Sequence, residues 1–152
     1  MALVRTNIGG ELSSDAAGQL TVIASAGTDT GASIDRYAAN ARNRKSMSCM
    51  AVVSVGTYTS TPSSFSVDVA VQHSTTGTDG WATVGTANIG GSGATSGVMT
   101  QIVGTQALRQ LDVNLKHVRR YIRFVATTAF VSGTSPTIPV AVIPVFVESE
   151  SV

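Results

Sequence analysis

The stretch SFSVDVAVQH, residues 64–73, alternates without a slip: Phe65, Val67, Val69 and Val71 fall on one side of an extended chain, and Ser66, Asp68, Ala70 and Gln72 on the other. Successive side chains of a strand point to opposite faces, so this period of two predicts a half-buried β-strand. Other runs carry the same message. MSCMAVVSVGTY (47–58), VMTQIVG (98–104), ALRQLDVNL (107–115), RRYIRFVATTAF (119–130) and IPVAVIPVFVES (138–149) read as strands, with WATVG (81–85) as a shorter one. Between them stand turn-forming segments such as TSTPSS and NIGGSGATSG (88–97). No segment carries a long helical stripe. Short strands separated by turn chemistry predict an all-β fold, a β-sandwich or jelly roll. The runs at 47–58 and 64–73, joined by a short turn around Pro62, predict an antiparallel hairpin.

Residues 1–35 differ from this. They are mostly small and polar, with five glycines (Gly9, Gly10, Gly18, Gly27 and Gly31), and their apolar residues follow no clear period. Apart from a short strand at Leu20–Ile23, they predict an extended N-terminal arm ahead of a sandwich domain over 36–152. Such an arm buries little by itself and suits attachment, with Leu3, Ile8, Leu12, Leu20, Val22 and Ile23 as anchors on a partner. The alternative is that it covers the 138–147 run of its own sandwich. The next segment, DRYAANARNRK, holds four of the ten basic residues: Arg36, Arg42, Arg44 and Lys45. It predicts one or two helical turns and a basic contact to an acidic partner surface.

The 152 residues fit one domain large enough to need no disulfide, and a single cysteine allows none internally. Charged residues make up 12% and the net charge is +1, so no global field draws in nucleic acid or an anionic membrane. The opening MALVRTNIGGELSSD lacks a signal-peptide core, and no apolar run approaches the roughly 20 residues of a membrane helix. The expectation is a soluble chain with neither nucleic acid nor membrane as partner.

Catalytic chemistry finds no footing. GGSGA (90–94) lacks the last glycine of a nucleophile elbow, leaving Ser92 without a motif, and GSGATS fails the dinucleotide fingerprint. His73 and His117 stand apart with no carboxylate at ligand spacing, and Cys49 sits in an apolar strand as a small hydrophobe. The expectation is a non-enzyme with no catalytic, metal or cofactor residues.

Binding residues are easier to nominate. Strand periodicity places Arg119, Tyr121 and Arg123 on an outward face, and Arg120, Ile122 and Phe124 on the other. An Arg-Tyr-Arg face suits an acidic protein surface, although a solvated face with paired carboxylates has the same pattern. In STTGTDGWATVG (74–85), Asp79-Gly80 is a strong hairpin pair preceding Trp81, the only tryptophan. A lone aromatic at a strand start ordinarily caps the core, its ring buried and its N–H bonded to a loop carbonyl. The alternative is a sugar platform formed by Trp81 with His73. The last run is apolar on both faces and carries two prolines, which predicts an edge strand or an interrupted one, covered by another subunit or by the N-terminal segment.

The order of these features, a strand ending VQHS, the turn TGTDGW, the return ATVG, then DVNL and RRYIRF, resembles the discoidin or galactose-binding-like jelly roll over about residues 64–126. Shortened and joined to a small-residue arm, the pattern is also similar to small structural proteins of tailed bacteriophages, including capsid decoration (cement) proteins. That resemblance implies a non-enzymatic virion protein on the capsid surface, made in the host cytoplasm. It would bind the major capsid protein and form a homo-oligomer, with a trimer favoured. A glycan-binding module, or a tail or baseplate component, is the alternative.

Overall fold

The computed structural model describes residues 12–14, 19–37, 46–85, 88–90, 94–95, 98–103 and 107–148. In chain order the strands are β1 (Leu12–Ser14), β2 (Leu20–Ala24), β3 (Gly27–Thr30), β4 (Ile34–Asp35), β5 (Ser46–Val55), β6 (Ser64–Ser74) and β7 (Ala82–Thr83). They continue with β8 (Ile89–Gly90), β9 (Ala94–Thr95), β10 (Val98–Val103), β11 (Ala107–Asn114), β12 (Tyr121–Val131) and β13 (Ile138–Glu148). The protein is a β-sandwich of two antiparallel sheets. One sheet runs β1-β13-β5-β11-β8, with β2 also paired to β13. The other runs β3-β12-β6-β10-β9, with β4 on β12 and β7 on β6.

The core follows from the period of two. Phe65, Val67, Val69 and Val71 of β6, with Ile122, Phe124 and Ala126 of β12, face Ala51, Val53 and Val55 of β5, Leu111 and Val113 of β11, and Val140, Val142 and Phe146 of β13. All are buried, and their removal from water is the main favourable contribution to the fold.

The expected hairpin of 47–58 with 64–73 does not form. β5 pairs with β11 and β13, whereas β6 pairs with β12, β10 and β7 in the opposite sheet. Residues 56–63 instead arch across the sandwich, beside a second arch at 132–137 that links β12 to β13. The arches are tied by Thr59 N–H to Thr137 O (2.8 Å) and Ser63 N–H to Val131 O (2.9 Å). At Gly133 the φ is +90°, and a Cβ there would lie 2.9 Å from the Ser60 carbonyl oxygen, so only glycine lets the arches touch. Tyr58, Phe65 and Phe130 close this end of the core, with ring centroids 5.6 and 6.5 Å apart in sequence.

The segment expected as an arm contributes to both sheets in its described residues. β1 and β2 pair with β13, β3 and β4 pair with β12, and Leu20, Ala24 and Ile34 are buried in the core. The boundary at residue 35 therefore does not mark where the sandwich starts. β13 is accordingly no edge strand: it lies between β5 and the β1/β2 pair. Pro144 falls where β2 pairing has ended at Val142 and β1 pairing has not begun at Val145, so its missing N–H breaks no ladder on that side.

Removing residues 1–30 strips away β1, β2, β3 and the two buried core side chains Leu20 and Ala24. The truncated protein should melt far below the parent or aggregate in a thermal scan, and an unchanged melting temperature would show that this segment is not part of the sandwich.

Candidate functional site

Five residues singled out from the sequence, His73, Trp81, Arg119, Tyr121 and Arg123, gather at one end of the sandwich around the β6–β7 turn. The turn is built by its own hydroxyls. Ser74 Oγ accepts from the main-chain N–H of Thr76 and Gly77 (both 3.1 Å) and donates to Asp79 O. Thr76 Oγ1 accepts from Asp79 N–H (3.2 Å) and donates to the Asp79 carboxylate. Gly80 takes φ +60°, as the Asp-Gly signal requires. Gly77, at φ +83°, lets the turn lie on Tyr121, whose ring would be 2.8 Å from an added Cβ.

Trp81 does not plug the core. It is half-buried on the outer side, and the Arg123 guanidinium lies over its ring at 4.2 Å from the centroid. Val84 is the residue of the return strand that enters the core. The pairing of β7 with β6 sets Thr83 opposite Gln72, leaving Trp81 just beyond the ladder and beside Arg123, which itself faces Gln72. Arg123 Nε donates to Gln72 Oε1 at 2.9 Å.

Arg119 precedes β12 and is exposed. Its main-chain N–H donates to His73 Nδ1 (3.3 Å) and its Nη1 to Gly80 O (3.3 Å). Burial, then the Arg119 and Arg36 charges, hold the His73 pKa below its ordinary 6.5.

Arg120 was expected to face inward with Ile122 and Phe124, but period two starts only at Tyr121, and Arg120 is exposed. It grips Asp35 with Nε to Oδ1 (3.0 Å) and Nη2 to Oδ2 (2.6 Å), and lies 5.4 Å and 5.0 Å from the ring centroids of Tyr37 and Tyr121. This hydrogen-bonded pairing holds Asp35 below the usual carboxylate range. Asp35, Tyr37 and Gln72 escaped sequence reading because only the β4–β12 and β6–β12 registers bring them here; no local pattern marks them.

Arg36, nominated as a partner contact, is fully buried. Its Nη1 donates to Val118 O and to Arg119 O (3.0 Å), and its Nη2 to Ser46 O and Leu115 O (both 2.6 Å). Burial lowers its pKa to about 10, so it is still charged at neutral pH. Leu12 pairs with Val147 through its backbone. Leu3, Ile8, Arg42, Arg44, Lys45 and Ser92 lie outside the described residues, as does most of the predicted helical turn after Tyr37. Cys49 is buried, its thiol pushed up to about 12 by that burial, so it is protonated at neutral pH.

Two expectations follow. Arg36→Ala removes four hydrogen bonds to carbonyl oxygens, of which Leu115 O keeps a second partner, Val118 N–H, and should cost about 3 kcal/mol or more in urea unfolding. Trp81→Ala should cost only about 1–2 kcal/mol, the worth of a half-buried ring and one cation–π contact; the reverse ranking would contradict these placements. In addition, His73 folds as the neutral form. Below about pH 6.5 the unfolded chain takes up its proton first, so stability should decline as pH falls from there. His73→Asn keeps an acceptor for Arg119 N–H and should flatten that decline; an identical slope in the variant would remove His73 as its cause.

No protein-family model, curated protein or solved structure matches the chain.

Proposed function

We propose that the chain is a non-enzymatic structural protein that works by assembly, a virion component of the capsid decoration type that binds the head lattice as a homo-oligomer. The observation that carries this reading is the outer face of the β13–β5–β11 sheet. Ile23 and Leu108 are 73% and 67% exposed there, and Ile143 also stands in solvent. Met50, Val52 and Val145 are half-buried on the same face beside Ile143, in the rows next to the Leu108–Ser54–Ala141 row. Asp112 is the only charged side chain among the described outward positions of β5, β11 and β13 before Val147. A groove of about 260 Å³, lined by Val22, Ile23, Gly56, Pro139 and neighbours, indents this face. Contiguous apolar surface of this kind is uncommon on monomers and marks association sites. A near-neutral face offers nothing that repels a second copy, so copies of this chain are its natural cover. The virion setting is supported by the order of the VQHS strand, the TGTDGW turn and the RRYIRF strand, which resembles phage decoration proteins and favours a trimer.

The glycan reading has one observation in its favour: Trp81 sits at the surface and not in the core. Its ring face, however, already carries Arg123.

Sedimentation equilibrium should find a stable oligomer, a trimer on the resemblance, and Ile143→Lys should sediment as a monomer with a melting temperature close to the parent's. Particles of the virus that encodes the chain should carry it through a density gradient. A monomeric parent would overturn assembly through this face, and its absence from the particles would overturn the virion assignment.

A further inference from the structure

The two guanidinium groups beside Trp81 are only partly used. Arg123 spends its Nε on Gln72 and its face on the indole, and neither Nη donates to a described residue. Arg119 spends one Nη on Gly80 O. Arg120, by contrast, is a closed unit, with both donors of its fork on Asp35 and its plane near two tyrosines. The nearby Asp79 accepts from Thr76 within the turn and, among the described residues, forms no ion pair with either open arginine.

From this geometry we infer that Arg119, held by Gly80 O, and Arg123, held over the Trp81 ring, form a docking site for an acidic peptide segment of a partner protein. A guanidinium stacked on an aromatic ring keeps its in-plane N–H groups free, and that planar edge matches a carboxylate in two parallel hydrogen bonds. Stacking also fixes the long side chain in advance, so less rotamer freedom is lost when the carboxylate arrives. The site has a rigid floor: the hydroxyl-laced turn, with Gly77 set on the Tyr121 ring, cannot shift without breaking that packing.

Charge selects the partner class. Two open cations with no carboxylate answering them among the described residues call for anionic side chains. A neutral sugar would need the indole face that Arg123 covers. A nucleic-acid strand would need open aromatic platforms and a longer basic track. Here Tyr121 is enclosed by Arg120 and the Gly77 turn, and the chain's net charge is only +1. The site lies on the sheet opposite the apolar face and does not depend on the virion assignment.

Trp81 is the only tryptophan, so its emission reports this site and no other. The full chain should be titrated with a blocked pentaglutamate peptide at about 0.01 M salt, where the Debye length is about 30 Å. A saturable change in Trp81 emission is expected, weakening steeply as salt is raised. Arg119→Gln, whose side chain is exposed and outside the core, should melt like the parent yet bind the peptide about tenfold more weakly. Arg123→Gln should lose binding by calorimetry, which does not rely on the altered fluorescence. The inference is overturned if pentaglutamate gives no saturable response, or if Arg119→Gln binds as the parent does. It is equally overturned if oligothymidylate or free galactose binds more tightly than the peptide.

Discussion

An arginine buried without a described carboxylate partner joins the two sheets at one end of the sandwich. Arg36 follows β4 of one sheet, and its guanidinium reaches the carbonyl of Ser46, where β5 of the other sheet begins, and that of Leu115, just past β11. It also takes the carbonyls of Val118 and Arg119, on the turn that delivers the chain to β12. Moving a cation out of water is costly, and here oriented peptide dipoles replace the lost hydration. The compensation is incomplete, since Nε has no acceptor among the described residues. The charge nevertheless persists at neutral pH, because burial lowers the pKa only to about 10. The positions of Arg119 and Arg120, and hence of everything around Trp81, follow from where this clamp sets the 115–120 turn.

The two sheets present different surfaces for a reason visible in their outward residues. β6 and β12 turn Ser66, Asp68, Gln72, Arg123 and Thr127 outward, with Ala70 and Val125 among them, so this face is mostly polar. β5 and β13 turn Met50, Val52, Ile143 and Val145 outward, and are apolar on both sides. One sheet can stand alone in water, whereas the other gains by being covered. A protein with one face of each kind can self-associate through the first and leave the second free for a different partner.

The strands were legible because alternation is enforced residue by residue: β6, β11 and β13 start and stop within a residue or two of their apolar runs. Pairing was not. Turn chemistry at 59–64 states that the chain reverses, yet eight residues are enough to cross the roughly 10 Å between packed sheets, and nothing local distinguishes an arch from a hairpin. The segment before residue 35 showed no period because β2, β3 and β4 are short and divided between two sheets, with Leu20, Ala24 and Ile34 the buried core residues among those described. Composition alone made it look like an arm. Arg36 and Trp81 exchanged expected places, the charge inside and the aromatic outside. Residue type sets an average burial, whereas the carbonyls of a distant turn and the side chain of a facing strand decided these two. The Arg119, Tyr121 and Arg123 cluster was found from period and charge, but its relation to the tryptophan turn emerges only from the β6–β12 register.

The place of β13 governs how the chain reaches this state. It is the last of the described strands, yet it lies inside its sheet, pairing with β5 nearly a hundred residues earlier and with β2 earlier still. Until it arrives, β2 and β5 expose backbone edges that β13 alone among the described strands covers. Sheets made of such distant pairings fold in milliseconds to seconds, against microseconds for local topologies. During synthesis at about 5–20 residues per second, β2 and β5 therefore wait several seconds for their partner. Over that interval the growing chain is most open to pairing with a neighbour on the same messenger.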